Sequence, residues 1–166
     1  MNLPAHSVVS LQMPSPLGPM ILLASRKGVA GIYFRQAIET TKLPREDREN
    51  RFLKKASRQL ESYFRKDRED FSVALDLKGS AFQKEVWRSL RNIPYGQTVT
   101  YGDLAKEIGN PGAVRAVGLA NAANPVSVIV PCHRVLGSKG KLTGYSGGLE
   151  RKLMLLKLEG ALLEGI

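Results

Sequence analysis

The only cysteine of this 166-residue chain, Cys132, is followed directly by one of its two histidines, His133. Thiolate is the nucleophilic form of cysteine, and an imidazole backed by a carboxylate draws a neighbouring thiol toward it. The pair therefore has the parts of a nucleophile with its base. A lone cysteine after the apolar run "PVSVIV" is also commonly a small buried apolar residue. A lone histidine is likewise commonly structural, and on the local residues alone the structural reading is the commoner one. Geometry adds a condition. Neighbouring side chains of a strand point to opposite faces, so Cys132 and His133 can share a cavity only where that alternation breaks. Pro131 interferes with regular pairing and puts "PCHR" at a strand end or bend, where both side chains can face one space or be linked by water. One cysteine and two histidines, with His6 remote near the N-terminus, cannot supply a Cys/His zinc tetrad. Phosphate-loop and dinucleotide fingerprints are missing. No metal and no cofactor are expected.

The charge pattern narrows the partner. The formal net charge is +10, which favours polyanions, nucleic acid first. From Glu107 to Glu150 no Asp or Glu intervenes, while Arg115, Arg134, Lys139 and Lys141 all lie in that window. A surface around Cys132 that meets something negative is the expectation. The basic residues of "LPREDRENRFLKKASRQLESYFRKDRED" are mixed with acids and read as a solvated helical face. No apolar run is long enough to span a bilayer, the N-terminus has no secretory pattern, and a single cysteine suits a reducing compartment. A cytoplasmic protein, nucleoid-associated when bound to DNA, is expected.

The elements that would position these residues fall into two groups. Residues 7–13, 19–25 and 28–34 are short apolar segments separated by "SPLGP" and "SRKG", as in an antiparallel sheet. Phe52, Ala56, Leu60 and Phe64 recur about once per turn, predicting a helix over about 47–66. "FSVALDL" alternates and could add a strand. From residue 80 the pattern becomes helical. Ser80 is an N-cap for a helix with Phe82, Val86, Leu90 and Ile93 on one face. Thr100 with Asp103 three residues on is a variant of the capping box. "GNPG" joins that short helix to a second over 112–124, so the pair reads as a helix–turn–helix. The second helix is slim. Ala113, Ala116, Gly118, Ala120 and Ala122 lie on it, and Arg115 is its only charge. It lacks the polar array of a major-groove reader and suits a minor groove; the bland alternative is close helix packing. "GYSGG" reads as a loop whose backbone can approach a ligand. A closing helix carries Leu149, Leu153, Leu156 and Leu158. The fold class expected is α+β: a small N-terminal antiparallel sheet with a helix over residues 1–79, then a mostly helical C-terminal domain carrying the helix–turn–helix over residues 80–166.

Across residues 80–166, "IPYGQTVTYGDLAKEIGNPGAVRAVGLANAANP" followed by "VSVIVPCHRVLGSKGKLTGYSGGLERKLMLLKLEG" resembles the O6-alkylguanine-DNA alkyltransferases. "RAVG", "PCHRV" and "GYSGG" occur in that family's order and spacing. The N-terminal half matches loosely, through the "SPLG" hairpin. The resemblance implies direct repair without a cofactor. An alkylated guanine is flipped from double-stranded DNA approached through the minor groove, and its alkyl group moves irreversibly to the protein's own cysteine, once per molecule. O4-alkylthymine stands as an open second substrate. It further implies Cys132 as acceptor, His133 as base through a water, Glu159 orienting the histidine and Asn124 supporting the site. Tyr145, Ser146 and the Val135 backbone would line the base pocket. Tyr101 would crowd the 3′ phosphate. Arg115, on a helix kept thin by Ala116 and Gly118, would fill the gap in the base stack. A monomer is expected, with cooperativity on DNA left open. Two departures stand out: the zinc ligands some relatives carry in the N-terminal domain are missing, and Ser127 stands where some have proline.

Two other classes compete. One is a non-catalytic helix–turn–helix DNA-binding protein with a structural cysteine, which calls for a recognition helix rich in polar readers. The other is a cysteine hydrolase, which needs multiple turnover and an oxyanion site for which no signal exists.

Overall fold

The computed structural model describes residues 3–162. Two compact units emerge. The first comprises residues up to Lys78 together with Pro125–Ser127; the second comprises Gly79–Asn124 and the chain from Val128 onward.

The first unit is built on an antiparallel sheet ordered β1 (Val9–Met13), β2 (Met20–Ala24), β3 (Val29–Phe34). Val9 faces Ala24 and Met13 faces Met20 across the first pair. All five residues of the central β2 are buried. That is why "MILLA" is a continuous apolar run and not an alternating one. α1 (Arg51–Phe64) buries Leu53, Ala56, Leu60 and Tyr63, a helical stripe packed on the sheet's strands. Asn50 caps it by accepting from the backbone of Phe52 and Leu53, so the helix begins four residues later than the apolar period predicts. "FSVALDL" forms no strand. Only Leu75 makes an isolated bridge to Val29. Residues 125–127 belong to this unit through the exchange of backbone bonds between Ile32 and Pro125, and between Ser127 and Ile32.

The second unit is mostly helical: α2 (Ala81–Arg91), α3 (Tyr101–Glu107), α4 (Val114–Ala122) and α5 (Leu149–Leu158). Ser80 and Gln83 form a complete capping box at α2, and Thr100 and Asp103 another at α3. Each satisfies two backbone donors that a helix start otherwise leaves open. Trp87 donates its indole N–H to the Ala120 carbonyl at 2.9 Å and so ties α2 to α4. A two-residue parallel ladder joins β4 (Val99–Thr100) to β5 (Val135–Leu136). The chain thus has a small antiparallel sheet and five helices among the described residues, an α+β class.

Candidate active site

The segment before Cys132 is not a strand. Val128 holds φ +73°, a conformation rare for a β-branched residue. Pro131, at φ −83° and ψ 63°, makes an inverse γ-turn, closed by the Cys132 N–H on the Val130 carbonyl at 2.8 Å. Cys132–Arg134 then form one 3-10 turn, closed by the Arg134 N–H on the Pro131 carbonyl at 3.0 Å. The break in alternation expected at "PCHR" is present as two consecutive tight turns.

The His133 ring is fully buried, and its Nε2 lies 2.7 Å from Glu159 Oε1. An ionised carboxylate only accepts, so Nε2 carries the proton and Nδ1 keeps the lone pair. Nδ1 is buried and meets no polar partner among the described residues. Burial, first, lowers the His133 pKa, and Arg134 and Lys152 add to this; the Glu159 carboxylate opposes it. The result is a neutral imidazole whose free basic nitrogen is Nδ1.

Glu159 does more than face the histidine. Its Oε1 also accepts from Arg134 Nη2 at 3.0 Å, and its Oε2 from Arg134 Nε at 2.9 Å. The Gly96 N–H adds a contact of 3.3 Å to Oε2. Gly96 sits at φ +75° in the "PYGQ" turn, where a side chain would be strained. Arg134 also donates Nη1 to the Ile93 carbonyl at 2.6 Å. Arg134 is therefore a buried ion-pair partner and not part of a basic surface, which corrects its place in the acid-free window. A guanidinium's planar fork matches a carboxylate's two oxygens, so the pairing locks the carboxylate's orientation.

Cys132 is buried, and burial pushes its thiol up to about 11, opposed by a hydrogen bond from Asn124 and the charge of Lys152. The expected drift toward thiolate beside an imidazole is overridden: the resting group is a protonated thiol. Asn124 donates Nδ2 to the Val130 carbonyl at 2.8 Å, so it braces the same carbonyl that closes the γ-turn. Tyr101 opens α3, half-buried; burial raises its hydroxyl first, the nearby Cys132 second, and hydrogen bonds with Thr143 and Asn121 oppose this.

Val135 is buried in β5. Its carbonyl accepts from Lys152 Nζ at 2.5 Å. Tyr145 and Ser146 are half-buried in the loop before α5. Arg115 and Ala116 are exposed on α4 while Val117 and Ala120 point inward and Gly118 is half-buried. Leu119, one turn after Arg115, is 70% exposed. The structure thus buries Cys132 and His133 on one turn, with Glu159 bonded to the histidine and Asn124 bracing the carbonyl before the cysteine, and leaves Arg115 on an open helix face. Sequence reading missed Arg134, Lys152, Gly96 and Asn121. For Arg134 and Lys152 no local signal separates a buried charge from a solvated one.

The family described as the 6-O-methylguanine DNA methyltransferase DNA binding domain matches residues 81–161, and its companion ribonuclease-like domain matches residues 10–77. The chain belongs to the 6-O-methylguanine DNA methyltransferase family. Within this family, a relative from Methanosarcina acetivorans, a methylated-DNA–protein-cysteine methyltransferase, is 51% identical over 148 residues, covering 89% of this chain and 95% of its own. A protein of the same description from Mycobacterium leprae is 47% identical over 150 residues, 89% of each chain. The crystal structure of Mycobacterium tuberculosis OGT in complex with DNA superposes with a TM-score of 0.85 at 44% identity, covering 93% of this chain and 94% of that one.

Proposed function

We infer that this 6-O-methylguanine DNA methyltransferase family member carries out direct-reversal repair of alkylated DNA, transferring the alkyl group from guanine O6 to Cys132 Sγ. The observation that carries the reading is the 2.7 Å contact of His133 with Glu159 on the turn that also bears Cys132. The relatives described as methylated-DNA–protein-cysteine methyltransferases and the relative solved with DNA support the reaction class and the partner.

The chemistry follows from the resting protonation states. A buried thiol with a raised pKa and a neutral histidine keep the nucleophile unreactive until substrate arrives. A water on His133 Nδ1 would satisfy that buried nitrogen, as buried polar atoms require, and relay the Cys132 proton to it. Glu159 then stabilises the imidazolium that forms. The sulfur attacks the alkyl carbon as its bond to O6 breaks, and the departing guanine gains a proton, for which the Tyr145 hydroxyl is the donor in this reading; the phenolate is reprotonated through water as His133 releases the proton it took from Cys132. The product thioether does not reverse, so each molecule acts once.

Base flipping presents the lesion to this buried thiol, and a poorly paired alkylguanine lowers the flipping cost. Arg115 fills the vacated stack, and the slim surface at Ala116 and Gly118 lies in the minor groove. Tyr101 presses on the 3′ phosphate. Tyr145, Ser146 and the Val135 backbone line the base pocket. Val135 already gives one lone pair to Lys152, and a carbonyl has a second for a base amino group. With DNA as partner, the working location is the nucleoid, in the cytoplasm. No described helix is long and apolar enough to cross a membrane.

The test is incubation with duplex DNA containing O6-methylguanine, followed by intact mass and peptide mapping. One methyl per protein on Cys132 is the expected product. Sustained turnover, a methyl elsewhere, or binding with no transfer would overturn the reading, the last in favour of a non-catalytic DNA-binding protein.

A further inference from the structure

A charged side chain that the proposed reaction does not use lies beside its centre. Lys152, on the second turn of α5, has no solvent exposure. Its ammonium donates to three backbone carbonyls: Val135 at 2.5 Å, Thr143 at 2.6 Å and Gly144 at 3.1 Å. An ammonium has three protons and no acceptor, so all its donors are used. The three carbonyls belong to two different segments. Val135 follows the Cys132–Arg134 turn directly. Thr143 and Gly144 immediately precede Tyr145 and Ser146.

Lys152 and Glu159, the residue that caps α5 at its C-terminus, are seven residues apart, about two helical turns, and so lie on the same side of the helix. Through Glu159 that face holds His133 and Arg134. Through Lys152 it holds Val135 and the 143–144 turn. Three consecutive residues after the cysteine are thus gripped by a single helix. A buried ammonium is costly to desolvate, and an aliphatic residue would pack α5 more cheaply. The charge is therefore the feature to explain. Three carbonyls from two segments give that charge its acceptors, and although burial lowers the Lys152 pKa to about 8, the ammonium persists at neutral pH.

We propose that Lys152 is a positioning residue for alkyl transfer, tying the Val135 strand to the turn before Tyr145 so that two walls of the base pocket stay in register. The proposal rests on Cys132 being the alkyl acceptor. The carbonyl clamp sets where the flipped base stops relative to the thiol.

The test compares wild type, Lys152→Met and Lys152→Arg in single-turnover transfer from O6-methylguanine duplex DNA between pH 6 and 10. Duplex Kd is measured in parallel. Lys152→Met should slow transfer at neutral pH at least tenfold with Kd changed less than about twofold. Lys152→Arg, which keeps a cation with donors for the carbonyls, should recover part of that loss. Wild-type transfer in Lys152→Met overturns the proposal and leaves Cys132 as acceptor, whereas a wild-type protein that takes no methyl on Cys132 overturns the parent reading. Should Lys152→Met fail to bind duplex or fold, the wild-type pH profile decides: transfer that falls as Lys152 loses its proton near pH 8 supports the clamp, and a rate that stays flat or rises from pH 8 to 10 overturns it.

Discussion

His133 Nε2 lies 2.7 Å from Glu159 Oε1 with neither side chain exposed, and Glu159 is at the same time held in a two-point ion pair by Arg134. The carboxylate therefore has little freedom to rotate, and the imidazole tautomer is set by a group that is itself clamped. This arrangement decides which nitrogen can serve as base.

Glu159→Gln should separate the two functions of that carboxylate from simple packing. An amide of the same shape cannot accept from His133 and twice from Arg134, and it leaves a buried guanidinium unpaired. Breaking a buried pair in this way costs about 3–5 kcal/mol. Chemical denaturation should register a loss of that order, and single-turnover transfer should fall at least tenfold. A variant as stable and as fast as wild type would contradict the clamp.

The raised Cys132 thiol has a pH consequence with a definite sign. Its folded pKa, about 11, lies above the ordinary value of 9.0, so between these values the folded chain holds a proton the unfolded chain has lost. The stability it contributes is fully present below pH 9 and is lost as pH rises through 11. Wild type should lose on the order of 2 kcal/mol more than Cys132→Ala between pH 9 and 11. Equal losses in urea titrations at the two ends would show that the thiol titrates normally.

Arg115 is exposed on α4 and makes no ion pair among the described residues, so Arg115→Ala should leave stability within about 0.5 kcal/mol. Transfer from duplex DNA should fall by a larger factor than binding to unmodified duplex. Binding by wild type should weaken steeply with salt, and Arg115→Ala should reduce the log–log slope by about one unit if the guanidinium displaces a counterion. A flat salt response in wild type would rule out phosphate contacts as the main attraction.

Ser80→Ala removes a capping box far along the chain from Cys132. The expected loss is about 1 kcal/mol, seen in thermal or urea unfolding, with the transfer rate at 25 °C unchanged. A slowed reaction would mean that α2 is coupled to the site more tightly than its hydrogen bonds indicate.

Local chemistry explains which parts of the fold were legible in advance. Ser80 and Thr100 announce helix starts because a cap needs only residues three apart. The three strands of the first unit read correctly because turn residues bound each apolar run. "FSVALDL" misled because alternation records side-chain direction and not whether a partner edge is free; only Leu75 finds one. The β4–β5 ladder pairs Val99 with Val135, and two residues of strand leave no periodic trace. The family resemblance pointed to Cys132, His133 and Glu159. Arg134 read as one more surface charge because nothing around it in sequence shows that Ile93 and Glu159 will enclose it.

The sequence by itself determined the residue types at the centre: a lone cysteine next to a histidine, a proline that prevents regular pairing before them, and a slim helix with one arginine. These are properties of composition and near neighbours, so they survive without coordinates. Only the tertiary structure decided their chemical state. Whether the thiol rests protonated depends on how completely it is withdrawn from water, and which imidazole nitrogen is basic depends on a carboxylate 26 residues away. That Lys152 and Arg134 are buried charges rests on carbonyls and carboxylates brought together from several segments. Burial and long-range pairing set energies that no short stretch of sequence encodes, because desolvation and Coulomb attraction depend on distance in space and not along the chain.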